Sequence, residues 1–368
     1  MINRCALFLK ADPLMKKDVI AIKTLLTMYN EVDLILDRKW QKDKYLLNYT
    51  ERCEIIKHDL KAEGIENYNI FANDISKYDS AVKAGVKNVA FIYDNYTKPD
   101  EIAERYAMTK RMIPDVNILL IPIFDECIIA SNDYLYDIIL EDQTHRIYKK
   151  FISDFAYIKT KFKLLPKIGL TGNKGCDLKT IMEVFKERDY EVVDIGQMIS
   201  LAFQDTKIMT PAFKDLEKMG IDTKPLITTK DGKAVADEPA VIRLCLENPE
   251  AKDIWFKRIQ DYVRLMMMHQ VLETNKKVIV LCTTLIYELK LDWMFKYIIT
   301  AVASNETIKK NLINMKFDEN HIDDYMKLYI PMKEKMKKAD FFIDTNGDKK
   351  SIERNTINVI NKKLEADF

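Results

Sequence analysis

The chain has 368 residues, 48% of them hydrophobic, enough to core two domains. Its 58 basic and 57 acidic residues leave a net charge of +1, so it carries no global electrostatic footprint for nucleic acid. No apolar run approaches the ~20 residues that span a bilayer. Six scattered cysteines (Cys5, Cys53, Cys127, Cys176, Cys245, Cys282) lack C-x-x-C spacing and read as buried, reduced thiols of an intracellular protein. The four histidines, His58, His145, His269 and His321, are far apart and show no H-x-x-x-H pattern, which argues against zinc.

In chain order, CALFL from Cys5 reads as a first β-strand, without the apolar core and cleavage site of a signal peptide. A helix from Asp18 to Tyr29 and the strand VDLIL follow. Thr50 to Leu60 is a helix whose entry, Asn48/Thr50 ahead of Glu51 and Glu54, resembles a capping box. YNIFA, VAFIY and VNILLIPI are further short apolar runs, the last two separated by a helix entered through Pro99. Such alternation predicts a parallel sheet with helices on both faces and ligands at the C-terminal ends of the strands. Residues 146–166 form a basic, aromatic connection, predicted helical and ending at Pro166. Its Tyr148, Phe151, Phe155, Tyr157 and Phe162 are expected to pack between two domains.

The second half is organised around Lys167 to Thr180, KIGLTGNKGCDLKT: a buried strand, a turn at Gly172 and Gly175, then an amphipathic helix. That is the layout of a phosphate-binding loop, in which glycines admit backbone N–H groups to phosphate and a lysine neutralises it. Counted from Gly172, however, the second glycine of G-x-x-x-x-G-K-[ST] falls on Asp177 and the lysine on Leu178, with Lys179 and Thr180 one place late. Nine glycines in the whole chain, against a typical ~7%, also lean against two working nucleotide sites. EVVDI, VIVLCTTLI, KYIITAVAS and ADFFIDT supply the remaining strands. Helices are predicted from Pro249 to Glu273, Glu306 to Met315, Glu319 to Lys338 and Lys349 to about Ala366, and Met266–Met268 reads as core filler.

IGLTGNKG, EVVDI, DGKAV (from Asp231), the segment ENPEAKDIWFKRI, TLIYE and above all P-x-x-x-K-x-x-x-A-D-F-F-I-D-T-N-G (Pro331, Lys335, Ala339, Asp340, Ile343, Gly347) make residues 167–364 resemble dephospho-CoA kinase. Upstream, Asp12-Pro13, EVDLIL, LLNYTERCEIIKHDL and the stretch from MTKRM to SNDYLYDII resemble phosphopantetheine adenylyltransferase in order and spacing. Together they resemble bifunctional CoA synthase. The implied fold is α/β with two parallel-sheet domains: a Rossmann-like nucleotidyltransferase domain at 1–145, the helical connection at 146–166, and a P-loop-kinase-like domain at 167–368.

The catalytic positions that the resemblance implies are largely replaced. In the adenylyltransferase half, the family's T-x-G-H falls on Met15, Lys17 and Asp18. Its arginine positions fall near Ile92 and Asn95 and on Leu135 or Tyr136, and its serines on Ala130, Ser131 and Asn132; Lys44 is the one basic residue near a family lysine. In the kinase half, the second aspartate of D-A-D is Gly196 (after Asp194 and Ile195). The histidine-proline pair is Asp261-Tyr262, the proline of P-L-L-F-E is Thr284 ahead of Glu288, and the lid arginines fall near Lys310, Asn311 and Asn314. Positive charge and positioning are nearly all that phosphoryl-transfer catalysis uses.

Asp18 and Asp177 each stand where a helix of the family receives phosphate. A carboxylate there caps the helix from within and repels a phosphate by roughly 4 kcal/mol at 4 Å and a dielectric near 20. The sequence therefore points first to a catalytically inactive pseudoenzyme serving as a structural subunit among other proteins, with neither nucleic acid nor a transmembrane segment. No catalytic, cofactor or metal site is expected. Gly172, Gly175, Lys179 and Thr180 are read as vestiges of one site, and Asp12, Pro13 and Asp18 as vestiges of the other. Two alternatives stay open: a module that holds CoA or a nucleotide such as ATP without turnover, and a divergent active CoA synthase using Lys174, Lys179 and Glu288. A mitochondrial complex and a cytoskeletal or ciliary array are equal candidates for location.

Overall fold

The two strands read first in each half, CALFL and KIGLTG, are the central strands of two separate sheets. The computed structural model describes residues 3–38, 45–73, 85–129, 131–141, 146–230, 232–274, 276–317, 319 and 322–364; Lys44, Ala130, His145, Asp231 and His321 lie outside them. The chain divides into two units, Met1–Leu164 and Leu165–Phe368.

In the first unit, β1 (Arg4–Leu9), β2 (Glu31–Asp37), β3 (Tyr68–Asn73), β4 (Asn88–Tyr93) and β5 (Asn117–Pro122) form an all-parallel sheet in the order β3-β2-β1-β4-β5. This is the doubly wound order in which winding reverses between β1 and β4, leaving a crevice at their C-terminal ends. Leu7, Leu34, Leu36, Ile22, Leu25, Ile55 and Ile56 core one face of the sheet. Helix Tyr49–Ala62 starts at a reciprocal capping box: Asn48 accepts the Glu51 N–H at 3.0 Å, and Glu51 accepts the Asn48 N–H at 2.9 Å.

The connection belongs to this unit as far as Leu164, and four of its five aromatics, expected to pack between domains, pack in or against the first unit's own core. Tyr148 and Phe151 are buried in the first unit's core, with Phe155 and Tyr157 packed against it. Helix Asp154–Leu164 is tied to helix Tyr49–Ala62 by Lys159–Glu54 at 2.8 Å, Lys163–Glu51 at 2.9 Å and the His58–Phe155 stack at 4.0 Å. Basic residues of the connection are thus the partners of acidic residues on that helix.

In the second unit, β6 (Lys167–Gly172), β7 (Glu191–Asp194), β10 (Ile279–Cys282), β11 (Tyr297–Val302) and β12 (Phe341–Asp344) form the sheet β12-β11-β6-β10-β7, again all parallel. Between β7 and β10 lie an antiparallel hairpin, β8 (Ile227–Lys230) and β9 (Lys233–Ala236), and helices Ile195–Ala202, Thr206–Lys218 and Glu238–Glu247, none assigned from sequence. Pro211 sits inside the second of these helices and masks its pattern for a reading that stops helices at proline. Helix Pro249–Glu273 has the predicted bounds, and only Met267 of its methionine triplet is fully buried. The predicted Glu319–Lys338 helix is instead two, Ile322–Met326 and Met332–Lys338, broken at Pro331. The last helix, Lys349–Val359, runs into a π turn ending at Leu364. Among the described residues no helix is long and apolar enough to cross a membrane.

Candidate functional site

β6 is buried throughout and delivers the chain into a loop, Asn173–Asp177, that opens helix Leu178–Glu187. Asp177 is the N-cap. Its carboxylate accepts the Thr180 N–H at 3.0 Å and the Thr180 hydroxyl at 2.7 Å. Within the loop, the Cys176 N–H donates to Asn173 O at 3.0 Å and the Leu178 N–H to Cys176 O at 2.9 Å. Three N–H groups of the anion-binding turn are therefore engaged by the chain itself.

The loop glycines serve packing. A Cβ on Gly172 would stand 2.8 Å from the Ala301 carbonyl of β11, and one on Gly175 (φ +100°) would stand 2.9 Å from the Ile308 carbonyl. Ile308 lies on helix Asn305–Asn314, and Asn311 of that helix donates to the Gly175 carbonyl at 2.8 Å. A position read as near a lid arginine thus holds the loop shut. Lys179 points away from the loop, its side chain 82% exposed and 4.0 Å from Glu183. The Lys174 ammonium lies 5.2 Å from the Phe317 ring centroid. Of the residues grouped as vestigial, the structure brings Gly172, Gly175 and Thr180 together, while Lys179 extends into solvent beside Glu183 and borders the adjoining cavity.

Beneath the loop is a buried ion pair that sequence reasoning missed as a pair, although both members sit in quoted motifs. Lys335, 0% exposed, lies 2.8 Å from Glu288, 2% exposed, and donates to Thr284 O at 2.8 Å and Gly172 O at 3.4 Å. Glu288 also accepts the Ile330 N–H at 2.9 Å, at the break before Pro331. Burial pulls the Lys335 ammonium below its ordinary pKa, opposed by the attraction and hydrogen bond of Glu288. The pair fastens the end of β6, the segment after β10 and the 322–338 helices at one point. Glu288, named above among the replacement residues of an active synthase, is here the buried partner of Lys335. No local sequence pattern links the two, because 47 residues separate the partners.

At the C-terminal ends of β6, β7 and β10 a cavity of about 650 Å³ remains open. Phe203, Val241, Trp255, Ile259 and Leu285 give it apolar walls, and Asp177, Asp194 and Gly196 line it as well. The Phe203 and Trp255 rings are 5.5 Å apart. Cys176 and Cys282 line it too. Burial raises both thiols, Cys176 to about 11, so neither is a ready nucleophile at neutral pH.

The first unit has a corresponding cleft of about 520 Å³ at the β1/β4 switch point, lined by Asp12, Pro13, Lys17, Asp18, Asp37 and Asp94 among others. Asp12 is buried and accepts the N–H groups of Leu46 and Leu47, each at 2.8 Å, while its carbonyl accepts from Tyr136 at 3.0 Å. Asp18, at the third position of helix Lys16–Leu26, accepts the Met15 N–H at 3.0 Å. Burial raises its carboxyl to about 6, against the lowering effects of that hydrogen bond and of Lys17. Lys17 reaches across to Asp94 at 2.9 Å. Burial works against ionisation of Asp94, yet hydrogen bonds from Lys17 and Thr97 hold it below the usual carboxylate range. Arg52, fully buried, donates to the carbonyls of Lys10 (2.9 Å) and Asp37 and lies 4.4 Å from the Tyr45 ring. Its cation is thereby committed to tying the ends of β1 and β2. Among the described residues no group of three or more His, Cys, Asp or Glu is arranged to hold a metal ion.

Two parallel α/β units, the second with a glycine turn between its central strand and a helix, define a chain of the nucleotide-kinase architecture in its C-terminal half. The family profile of dephospho-CoA kinase matches residues 167–351, and the chain belongs to that family through this half. It is 23% identical over 194 residues to the dephospho-CoA kinase of Aquifex aeolicus, covering 50% of this chain and 90% of that protein. Among solved structures, the Campylobacter jejuni dephospho-CoA kinase aligns at 19% identity over 55% of this chain and 98% of its own, with a TM-score of 0.37. A NadR protein in complex with NR aligns at 9% identity over 98% of this chain and 96% of its own, with a TM-score of 0.42.

Proposed function

We propose that this chain is a catalytically silent member of the dephospho-CoA kinase family. In this reading its N-terminal unit is a phosphopantetheine adenylyltransferase-like domain, and the protein is kept as a folded subunit of a larger protein assembly. The observation that carries the proposal is the Asp177 carboxylate, which occupies the helix N-terminus at 3.0 Å from the Thr180 N–H. A phosphate at that point would meet a fixed negative charge and N–H groups already in use. Leu178 offers no ammonium to replace the one the motif requires, and Lys179 faces solvent beside Glu183. In the first unit, Asp18 and the Lys17–Asp94 pair fill the equivalent entry in the same way.

The 650 Å³ cavity favours one second reading, a module that holds CoA or a nucleotide without turning it over. Two assays separate the readings: a coupled assay from 4′-phosphopantetheine to CoA, and equilibrium binding of ATP, dephospho-CoA and CoA. The proposal expects no product and no binding at micromolar ligand. Binding without product selects the second reading, and product formation overturns both in favour of an active synthase. Purification of the native complex tests the subunit role, with a stable set of protein partners as the expected result.

A further inference from the structure

The cavity of the second unit is closed to phosphate at one end, yet its apolar chamber has not been filled. Its walls include Phe203 and Trp255, whose rings meet at 5.5 Å and 44°. Its charged lining is acidic: Asp177, Asp194 and Glu238 face the space against Lys174 and Lys179, three acids to two bases. Both bases are occupied elsewhere, Lys174 over the Phe317 ring and Lys179 exposed beside Glu183.

Asp194 is the informative residue. It stands at the N-cap of helix Ile195–Ala202, where an aspartate ordinarily accepts a first-turn N–H, yet its side chain makes no capping bond. Among the described residues it makes no ion pair either, although it is half-buried beside apolar walls. A carboxylate in such a place gains most from a cation brought to it. Aromatic faces lining the same cavity supply the other half of ammonium recognition.

We propose that this cavity binds a small cationic amphiphile, an aromatic or aliphatic body carrying a protonated amine, with the ammonium on Asp194 and the body against Trp255 and Phe203. The site selects against the phosphorylated ligands for which the fold is otherwise suited. It goes beyond the reading of a silent kinase relative, because loss of nucleotide binding by itself predicts no ligand at all.

The test is a calorimetric titration of the full chain with three probes of one shape: 1-naphthylmethylamine, 1-naphthylmethanol and 1-naphthoate. The amine is expected to bind at least tenfold more tightly than the alcohol, and the carboxylate more weakly than either. Asp194→Asn, which keeps the side chain's size at a half-exposed position, should remove the tenfold preference and leave the alcohol unchanged. Glu238→Gln should reduce the preference by a smaller factor. Equal binding of amine and alcohol, tightest binding of the carboxylate, no binding of any probe, or an Asp194→Asn variant that keeps the preference would each overturn the proposal. ATP and CoA are titrated separately, so failure of this proposal leaves the reading of a silent kinase relative to stand or fall on its own assays.

Discussion

In each unit a central parallel strand runs into a helix, and in each an aspartate meets the first turn of that helix, but the surroundings differ. Asp18 is buried, its carboxyl raised to about 6, and the space before it is crossed by the 2.9 Å Lys17–Asp94 pair. Asp177 is a partly exposed N-cap that holds Thr180 and leaves a large apolar cavity next to it. The first aspartate sits beside a compensating ion pair in its cleft, and the second is an ordinary helix cap. Each aspartate still borders an open cavity, about 520 Å³ in the first unit and about 650 Å³ in the second, so the two differ in what surrounds the carboxylate and not in whether space remains.

The comparison sharpens under mutation, beginning with the largest effect. Lys335→Met should destabilise the second unit by about 4 kcal/mol, because it strands Glu288 in the interior. A Glu288→Leu/Lys335→Met double variant should regain most of that loss. Urea unfolding followed at Trp255 checks it, and a mild loss for the single variant would show that the pair does not fasten the loop.

Asp12→Ala should cost about 3 kcal/mol in the first unit, since the Leu46 and Leu47 N–H groups lose their acceptor near the start of helix Tyr49–Ala62. Amide hydrogen exchange should locate the damage at that helix.

Asp18→Asn should stabilise the first unit by on the order of 2 kcal/mol at pH 7.5 and have little effect near pH 4. The sign follows from the raised carboxyl. With a folded pKa of about 6 against an ordinary 3.8, the native state prefers the proton, and that stabilisation is lost as pH rises through 6. Thermal melts across pH 4–7.5 test this, and a pH-independent difference would refute the assignment. The smallest effect belongs to Asp177→Ala, about 1 kcal/mol for the loss of a cap, with Asp177→Asn nearly neutral.

The two-sheet architecture was legible because parallel strands buried on both faces write themselves as short apolar runs between amphipathic helices. Both central strands and the Pro249–Glu273 helix follow directly from that pattern. Residues 195–248 did not yield to it, since Pro211 interrupts one helix and the hairpin β8–β9 is only four residues a side. At the candidate site, the displaced lysine and Asp177 were visible in the loop's spacing. The Lys335–Glu288 pair, Asn311 on Gly175 and the place of Asp194 on the cavity wall were not, because each depends on which elements the tertiary fold brings together. The aromatic connection misled for a related reason: its lysines find acids on helix Tyr49–Ala62, far back in the chain.

The most direct test of the proposal that this loop no longer takes phosphate is calorimetric titration of ATP into the wild-type chain beside an Asp177→Gly/Leu178→Lys/Lys179→Thr variant, which restores the G-x-x-x-x-G-K-T spacing from Gly172. No heat of binding for the wild type up to millimolar ATP, with measurable affinity gained by the variant, is the predicted result. Micromolar binding by the wild type would contradict it.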